Sequence, residues 1–528
     1  MTKSELLRFG VLLLLSLTGF MDPVRCQAAG VTIITHGLNG SVDDWVIAMA
    51  SQMASYPRLP GTNSTCYELY FTPNGANYSL TWRRLAGDTP ASTDSGEIFI
   101  KLDWRQLAND SYSTFDVAGA VVPALLQTNF IPELSGHALA ELPLHLIGHS
   151  RGGSLVCQMS YLLGTNGVWV DHLTTLDPHP LNNDGFFDFP YTIVDAPAGT
   201  YENVLFHDNY YQNLNLLFYG EAIAGAYVRQ LTYLEGGYGG LSASHSNVHL
   251  WYHGTVDLRV PGDDTVASIT SSERQTWWTP YESHGALAGF YYSLIGRGDR
   301  LSIDQPAGPG TASIRDGYNQ RWGDLGAGSS NNRTILSANN GNWPNIIKFN
   351  ITGTNVIAQG QTNSVTLYFQ WGRPVTSNAV LSIYSDEDFN PYNGNERLLR
   401  EGSIPGSGTN QVLFGTVSIN FGTTNSTPGN HVLFAKIKDG SRTRCLYAPE
   451  ILTVFSSFAP PRLAITGGKG IQPQVEVRGI PGQRVVLKSS IDFQNWQSLA
   501  TNWLATNVWS YADIQPIGVR KFYRATLQ

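Results

Sequence analysis

The sequence predicts an α/β region built on a mostly parallel sheet with helices on both faces, followed by two all-β sandwich domains. Short apolar runs alternate with segments of helical periodicity from Val31 to about Arg300. A stretch rich in Gly, Pro, Ser and Asn, from Pro306 to Asn342, interrupts that pattern. Beyond it the chain is rich in Val, Thr, Asn and Gly and alternates in the manner of antiparallel strands.

The individual elements of the first region follow from length and periodicity. Two segments carry apolar residues at helical spacing, Phe115 to Gln127 and Gly152 to Gly164. Five short apolar runs predict buried strands: VTIIT at 31–35, EIFIKLDW at 97–104, LPLHLIG at 142–148, HLTTLD at 172–177 and NVLFHD at 203–208.

The chain has 528 residues, which at about 150 residues per domain predicts three or four units. Alternating stretches such as NSVTLYFQW and HVLFAKI predict the first sandwich, and QVEVRG and RVVLKSS predict strands of the second. The predicted divisions are a leader at 1–29, the α/β domain at 30–305, a linker at 306–342, a β-sandwich at 343–455 and a small C-terminal β domain at 456–528.

The first residues have the layout of a signal peptide. Lys3 and Arg8 precede an apolar run that ends near Met21, and small residues follow at Ala28 and Ala29. We therefore expect a secreted, extracellular protein, with a periplasmic or surface-attached location left open. The alternative of a lipoprotein anchored through Cys26 is disfavoured by the Pro-Val-Arg sequence before it.

Cysteine usage and charge exclude several classes of protein. Cys66, Cys157 and Cys445 follow the leader, an odd number that argues against a disulfide framework, although a Cys66–Cys157 bridge stays open. The net charge of -8 argues against nucleic acid or an anionic membrane as partner and favours neutral ligands.

The strongest chemical signal is a G-x-S-x-G pentapeptide, Gly148 to Gly152. It follows an apolar strand and precedes a helical segment, which is the context in which such a turn exposes a serine nucleophile. Ser150 is the predicted nucleophile. Two backbone N–H groups are candidates for binding an oxyanion: that of Arg151, at the start of the helix, and that of Leu38, in the turn after the first strand.

The segment from Thr35 to Pro180 resembles the lipases related to pancreatic lipase. The matching motifs, in the order and spacing of that family, are THGLNGSVDDW, KLDWR, LHLIGHSRGG and TTLDPHP. The resemblance covers about half of the chain. It implies an α/β-hydrolase fold, esterase chemistry, and an acid at the end of the strand after the nucleophile helix.

That acid position is Asp177, and Asp208, at the end of the next strand, is the alternative. The resemblance implies that the catalytic histidine lies a few residues before an aromatic pair, which selects His245 ahead of Trp251 and Tyr252. His249 is the reserve, and His284 is a weaker one.

His245, His249 and His253 also share one helical face, as metal ligands do. No fourth ligand follows nearby, so we predict neither a metal site nor a cofactor. The segment from Tyr210 to Ser244 and the aromatic run 277–281 are candidates for a lid or an acyl pocket, with ordinary packing as the alternative.

Departures from the family leave the substrate open. Arg151 stands where the related lipases have a small or apolar residue, and the cysteines of the animal lipases are missing. We predict a secreted serine lipase or esterase that acts on small-molecule or lipid esters, in contact with a lipid interface, a cell surface or a polysaccharide. An amidase or a polysaccharide or polyester esterase with the same triad is the alternative, and a non-catalytic binding or adhesion protein is the rival from another class.

Overall fold

A computed structural model describes the chain in segments. Those segments are residues 30–55, 64–93, 96–109, 111–183, 191–215, 218–256, 263–277, 289, 343–371, 378–406, 413–456, 460–466, 472–514 and 521–527. The predicted leader, the predicted linker, His284 and residues 278–281 lie outside the described residues. None of the helices in these segments has the length and hydrophobicity needed to cross a membrane.

An eight-stranded mixed sheet forms the N-terminal part. Its strands lie in the order β3-β2-β4-β1-β5-β6-β7-β8, and all neighbours are parallel except the β2–β3 pair at one edge. Their bounds are β1 Val31–Thr35, β2 Thr65–Asn74, β3 Asn77–Ala86, β4 Ile98–Asp103, β5 Leu144–His149, β6 Val170–Leu176, β7 Val204–Tyr211 and β8 Tyr227–Gln230. The five strands predicted from apolar runs correspond to β1, β4, β5, β6 and β7.

Five α-helices and three short 3₁₀ helices, Pro90–Ser92, Pro132–Leu134 and Leu139–Glu141, accompany this sheet in the described residues. The α-helices are α1 Trp45–Ser55, α2 Thr114–Leu126, α3 Arg151–Thr165, α4 Ala243–Gly254 and α5 Ser271–Trp277. Helix α2 begins with a capping box, in which Ser113 and Asp116 each bind the other's backbone N–H. The two helices predicted from periodicity are α2 and α3, within one residue at each end.

Beyond residue 342 the described chain is all strand and turn. A five-stranded sheet and a three-stranded sheet share one apolar core, and two further three-stranded sheets share a smaller one. The strands are β9 Asn345–Ile351, β10 Val356–Ala358, β11 Thr362–Trp371, β12 Ala379–Asp386, β13 Arg397–Ile404, β14 Leu413–Gly422, β15 Gly429–Asp439, β16 Arg442–Phe455, β17 Arg462–Thr466, β18 Gln474–Arg478, β19 Arg484–Ser490, β20 Gln497–Trp503, β21 Val508–Ala512 and β22 Phe522–Leu527.

The fold class predicted from the sequence, an α/β hydrolase with helices on both faces of a mostly parallel sheet followed by two sandwiches, is wrong. Strands make up 43% and helices 17% of the residues that the structure describes, so this part of the protein is mostly β. The described strands form five separate sheets, and the N-terminal sheet is mixed.

The physical reason lies in the connections between strands. The described residues between β6 and β7, and between β7 and β8, contain no helix. Prolines such as Pro178, Pro180 and Pro197 occur in the first of these connections, and proline lacks the N–H that a helix interior needs. The alternation of apolar runs with helical segments predicted helices on both faces of the sheet. The described residues of these two connections form none of those helices.

A buried arginine joins the second group of sheets to the first. Arg444, on β16, donates hydrogen bonds to the carbonyl oxygens of Ala140, Leu142 and Trp169 at 2.7–2.8 Å and pairs with Asp171 at 2.6 Å. Burial raises the pKa of the Asp171 carboxyl, and the charge of Arg444 opposes that rise. These contacts lie where β5 and β6 begin, at the opposite end of both strands from Ser150.

We expect Arg444→Ala to lower the free energy of unfolding by about 3–5 kcal/mol, because it leaves the buried Asp171 carboxylate without its cation. Chemical denaturation measures this effect. Arg400→Ala, which removes an exposed arginine of β13, is the matched control and should change stability by less than about 0.5 kcal/mol. Equal stability of the two variants would show that Arg444 does not hold the sheets together.

Candidate functional site

The site is built around a strained turn between β5 and α3. Strand β5 ends at His149, helix α3 begins at Arg151, and Ser150 between them has φ 57° and ψ -128°. A positive φ is costly for any residue with a Cβ and persists only where the surroundings enforce it. The N–H of Ser150 donates to Leu176 O at 3.0 Å, and its carbonyl accepts from the N–H of Gly153 at 2.9 Å and of His179 at 3.1 Å.

Glycines make this turn possible because the backbone segments around it touch. A Cβ on Gly148 would lie 2.1 Å from the carbonyl oxygen of Gly152, and one on Gly152 would lie 2.4 Å from that of His36. A Cβ on Gly153 would lie 2.7 Å from Pro178. A Cβ on Gly37 would lie 2.7 Å from the Cβ of Ser150 and 3.0 Å from its Oγ. The turn after β1 therefore lies directly against the serine.

Asp177, the predicted acid, follows the last residue of β6. It is fully buried and has φ 44°. Its carboxylate accepts hydrogen bonds from the backbone N–H and the side-chain Nε2 of Gln212, at 3.1 and 3.0 Å. Gln212 thereby fixes the orientation of the carboxylate and satisfies part of its hydrogen-bonding capacity.

His245, the predicted base, lies in the first turn of α4. Its Nδ1 donates to Asp177 Oδ2 at 2.7 Å, although the two residues are 68 positions apart in the chain. The side chain of His245 is 12% exposed. A second imidazole, His179, places its Nε2 3.8 Å from the same carboxylate oxygen.

The two members of this pair affect each other's titration. Burial raises the pKa of the Asp177 carboxyl, but the hydrogen bonds and charges of His179 and His245 outweigh it and hold that pKa below its usual value. Burial lowers the pKa of His245 more than the Asp177 carboxylate raises it. The pair therefore consists of an ionised carboxylate and an imidazole that is neutral at pH 7, which is the state that a general base requires.

His149, the residue before the serine, is tied to the predicted base. Its Nε2 donates to the backbone carbonyl of His245 at 2.9 Å, and the two rings lie 4.4 Å apart. Burial is the main cause of a pKa of His149 well below the usual value, so the ring stays neutral. This bond links the strand that carries the nucleophile to the first turn of α4.

The predicted oxyanion donors lie on either side of Ser150. The backbone N–H of Arg151 is the first of helix α3, where N–H groups have no partner within the helix. Leu38 follows Gly37, in a turn that is fixed by the Asn39 N–H donating to Ala108 O at 2.8 Å.

The side chain of Arg151 faces away from Ser150. It is fully buried, pairs with Asp195 at 2.6 Å through Nε, and donates through its guanidinium to the carbonyl oxygens of Asn109 and Tyr112. The guanidinium also lies over the ring of Trp104, 5.1 Å from its centroid. Arg151 thus anchors the start of α3 with its side chain, and only its backbone faces the serine.

The reserve residues do not join the pair. Asp208 accepts from His172 Nε2 at 2.8 Å and from Thr174 Oγ1 at 2.6 Å, and the side chains of Asp208 and His172 are both fully buried. His249 and His253 both face Asp264, at 3.1 and 2.7 Å. The three histidines on the face of α4 therefore divide between two carboxylates.

A cavity of about 190 Å³ is lined by Pro178 and His179, the two residues that follow Asp177 in the chain. Its surface is mixed, and Asn183 and the exposed Glu221 join His179 among its polar residues. One wall comes from 219–224, inside the segment for which the sequence predicted a lid or an acyl pocket. Small apolar side chains in the wall are Pro178, Pro180, Pro197, Ala198, Ala222, Ile223 and Ala224.

Sequence reasoning missed three residues that shape the site. His149 and His179 were visible as histidines next to the serine and two residues after the acid. Gln212 had no signal, because an amide 35 positions from the acid has no sequence pattern that marks it as a neighbour.

Comparisons with known proteins leave the family of this chain open. No family model matches it, and no curated protein matches it. Among solved structures, the CARDB domain of a Pyrococcus furiosus protein in complex with di-metal ions is 10% identical, with a TM-score of 0.15, over 22% of this chain and 96% of that one.

Two further solved structures have similarly low scores. Pseudomonas fluorescens alkylpurine DNA glycosylase bound to DNA with an abasic site analog is 15% identical, with a TM-score of 0.16, over 28% of this chain and 39% of that one. A chaperone–tip adhesin complex of CFA/I fimbriae is 15% identical, with a TM-score of 0.14, over 34% of this chain and 97% of that one. Scores this low carry no argument about function.

We expect Gly152→Ala to lower the free energy of unfolding by about 1–3 kcal/mol or more, because the new methyl group collides with the carbonyl of His36. Thermal and chemical unfolding measure the change. Gly119→Ala is the matched control, since Gly119 lies on the exposed face of α2 with open space around it and should gain up to about 1 kcal/mol. A Gly152→Ala protein as stable as the wild type would contradict the close contact between Gly152 and the carbonyl of His36.

Proposed function

We propose that this protein is a serine hydrolase that cleaves carboxylic esters, with Ser150 as nucleophile, His245 as base and Asp177 as acid. The observation that carries the proposal is the 2.7 Å bond between His245 and Asp177, two residues from distant parts of the chain. His245 is also tied to the strand before Ser150, because its backbone carbonyl accepts from His149, and Ser150 is held at positive φ between that strand and a helix. The resemblance of Thr35 to Pro180 to the pancreatic-lipase-related lipases supports the same chemistry.

In the proposed first step, the neutral His245 removes the proton of the Ser150 hydroxyl through Nε2. The serine oxygen forms a bond to the carbonyl carbon of the ester, and the carbonyl electrons move to its oxygen. When this tetrahedral intermediate collapses, His245 returns the proton to the departing alkoxide, and an acyl-Ser150 remains. Water then repeats the sequence and releases the carboxylic acid.

Asp177 acts on the histidine and not on the substrate. By accepting from Nδ1 it leaves Nε2 as the nitrogen with the free lone pair, and its charge stabilises the imidazolium that forms. Gln212 holds the carboxylate from the other side and so fixes the direction of that bond. The backbone N–H groups of Leu38 and Arg151 are the proposed donors to the oxyanion.

The surroundings favour a neutral substrate of modest size. The cavity beside His179 combines proline, alanine and isoleucine side chains with the polar groups of Asn183 and Glu221, which suits a small ester with both apolar and polar parts. The net charge of -8 also disfavours polyanionic substrates. We propose a small-molecule or lipid ester as substrate and a location outside the cytoplasm, in line with the predicted leader.

We expect the purified protein to hydrolyse p-nitrophenyl esters. Ser150→Ala should lower kcat by about 10⁶-fold and Asp177→Asn by about 10⁴-fold, because each removes one member of the triad. A panel from acetate to palmitate measures the preferred acyl length. Ser498→Ala, on an exposed part of β20, is the matched control and should keep full activity.

Labelling by a fluorophosphonate, which the Ser150→Ala variant should not show, provides a readout that does not depend on the acyl group. No labelling and no hydrolysis of any ester would contradict the proposal and would favour a binding protein. Labelling without ester hydrolysis would indicate a serine hydrolase whose substrates are amides.

We expect His149→Phe to lower kcat about 10–100-fold with little change in KM, because the hydrogen bond to the backbone of His245 positions the base. His149→Gln, whose side-chain amide can donate to the same carbonyl, should recover part of the loss. Steady-state kinetics of the two variants test this role. Equal losses in both, accompanied by lower stability, would assign His149 to packing alone.

A further inference from the structure

His179 is a feature of the site that ester cleavage does not use. It follows Asp177 by two residues, its side chain is 13% exposed, and its ring meets that of His245 edge-on with 5.0 Å between the centroids. The Nε2 of His179 lies 3.8 Å from the carboxylate oxygen that binds His245 Nδ1 at 2.7 Å. One potential ligand atom from each of the three residues lies within 4.8 Å of the others.

Two imidazoles and a carboxylate are the donor set that Zn²⁺ accepts when a fourth position stays open for water. At Zn–N and Zn–O bonds of about 2.0–2.1 Å in a tetrahedral site, ligand atoms are about 3.3 Å apart. Two of the separations, 2.7 and 3.8 Å, bracket that value, and the remaining pair of ligand atoms lies within 4.8 Å, so rotations of the side chains would bring the three atoms to a common ion. Ca²⁺ and Mg²⁺ require more oxygen ligands than this cluster offers.

The surroundings have two further properties of a zinc site. The Gln212 N–H groups orient the Asp177 carboxylate, as hydrogen-bond partners of metal ligands commonly do. His179 also lines the cavity that contains Glu221, which gives an ion a route with a carboxylate along it. Asp177 itself is fully buried, so the ion would be shielded from bulk water on that side.

We propose that Asp177, His179 and His245 bind one Zn²⁺ ion per chain and that this ion inhibits the enzyme. The inhibitory part rests on the proposed function. Zn²⁺ at His245 Nδ1 takes the lone pair of that nitrogen, so the imidazole proton moves to Nε2. A protonated Nε2 cannot accept the proton of Ser150, and Asp177, bound to the ion, no longer orients the base. Removal of the ion by a chelator reverses both effects.

Calorimetric titration of untagged, metal-free protein with Zn²⁺ tests the site without reference to activity. We expect one ion to bind the wild type and the Ser150→Ala variant with equal affinity. Loss of a residue that only hydrogen-bonds to a metal ligand weakens metal binding by roughly 10–100-fold. His179→Ala removes a proposed ligand itself, so we expect it to weaken Zn²⁺ binding by more than that. His137→Ala is the matched control, because His137 is also a partly exposed histidine that pairs with a carboxylate, that of Glu141. The affinity of this variant for Zn²⁺ should equal that of the wild type.

Ester hydrolysis is then measured with and without Zn²⁺, each variant relative to its own zinc-free rate. Inhibition of the wild type and of His137→Ala, with loss of inhibition in His179→Ala, supports the proposal. Absence of stoichiometric binding, or equal binding by His179→Ala, overturns the zinc site even if the protein is an esterase. Binding that depends on His179 in a protein that hydrolyses no ester retains the metal site and overturns the serine-hydrolase proposal.

Discussion

The absence of side chains at four glycines is the constraint on which the site depends. The carbonyl oxygen of Gly152 lies where a Cβ on Gly148 would be, and the carbonyl oxygen of His36 where one on Gly152 would be. This contact lets helix α3 begin directly against the turn after β1, which enforces the positive φ of Ser150. The same close approach places the turn that contains the candidate donor Leu38 against Ser150, through Gly37.

Buried carboxylates and their partners decide which residues are available for chemistry. Asp171 pairs with Arg444, Asp195 with Arg151, Asp208 with His172, and Asp264 with His249 and His253. A buried charge is costly unless it is paired and hydrogen-bonded, so each of these groups is held by a fixed partner. Asp177 differs because its partner, His245, is bonded through its backbone carbonyl to His149, the residue before Ser150, and because His179 approaches the same oxygen. That difference separates a candidate acid from four structural ones.

Local sequence patterns correctly predicted individual strands and helices of the N-terminal part. They did not predict the fold class of the protein. Five strands and two helices lie where apolar runs and helical periodicity placed them, because burial on a pleated or helical surface imposes a period that a sequence displays directly. The described residues of the connections after β6 and β7 have an irregular backbone, which imposes no such period on the sequence. Because these connections add no helix and the described strands form five sheets, the described part of the protein is mostly β. The pairing of β1 with β5, more than a hundred residues apart, leaves no local trace in the sequence. The same holds for the contact of Arg444 with Asp171 at the start of β6.

The sequence by itself determined that Ser150 lies in a sharp strand-to-helix turn, since glycines at fixed spacing and flanking periodicity are local properties. It also reduced the acid to Asp177 or Asp208 and the base to His245, His249 or His284. Only the tertiary structure paired His245 with Asp177 and gave Asp208 and His249 to other partners, because a hydrogen bond between residues 68 positions apart depends on how the strands and α4 pack. The same packing brought His149, His179 and Gln212 to the site. Their distances to His245 and Asp177 depend on the tertiary structure and cannot be read from the neighbouring sequence.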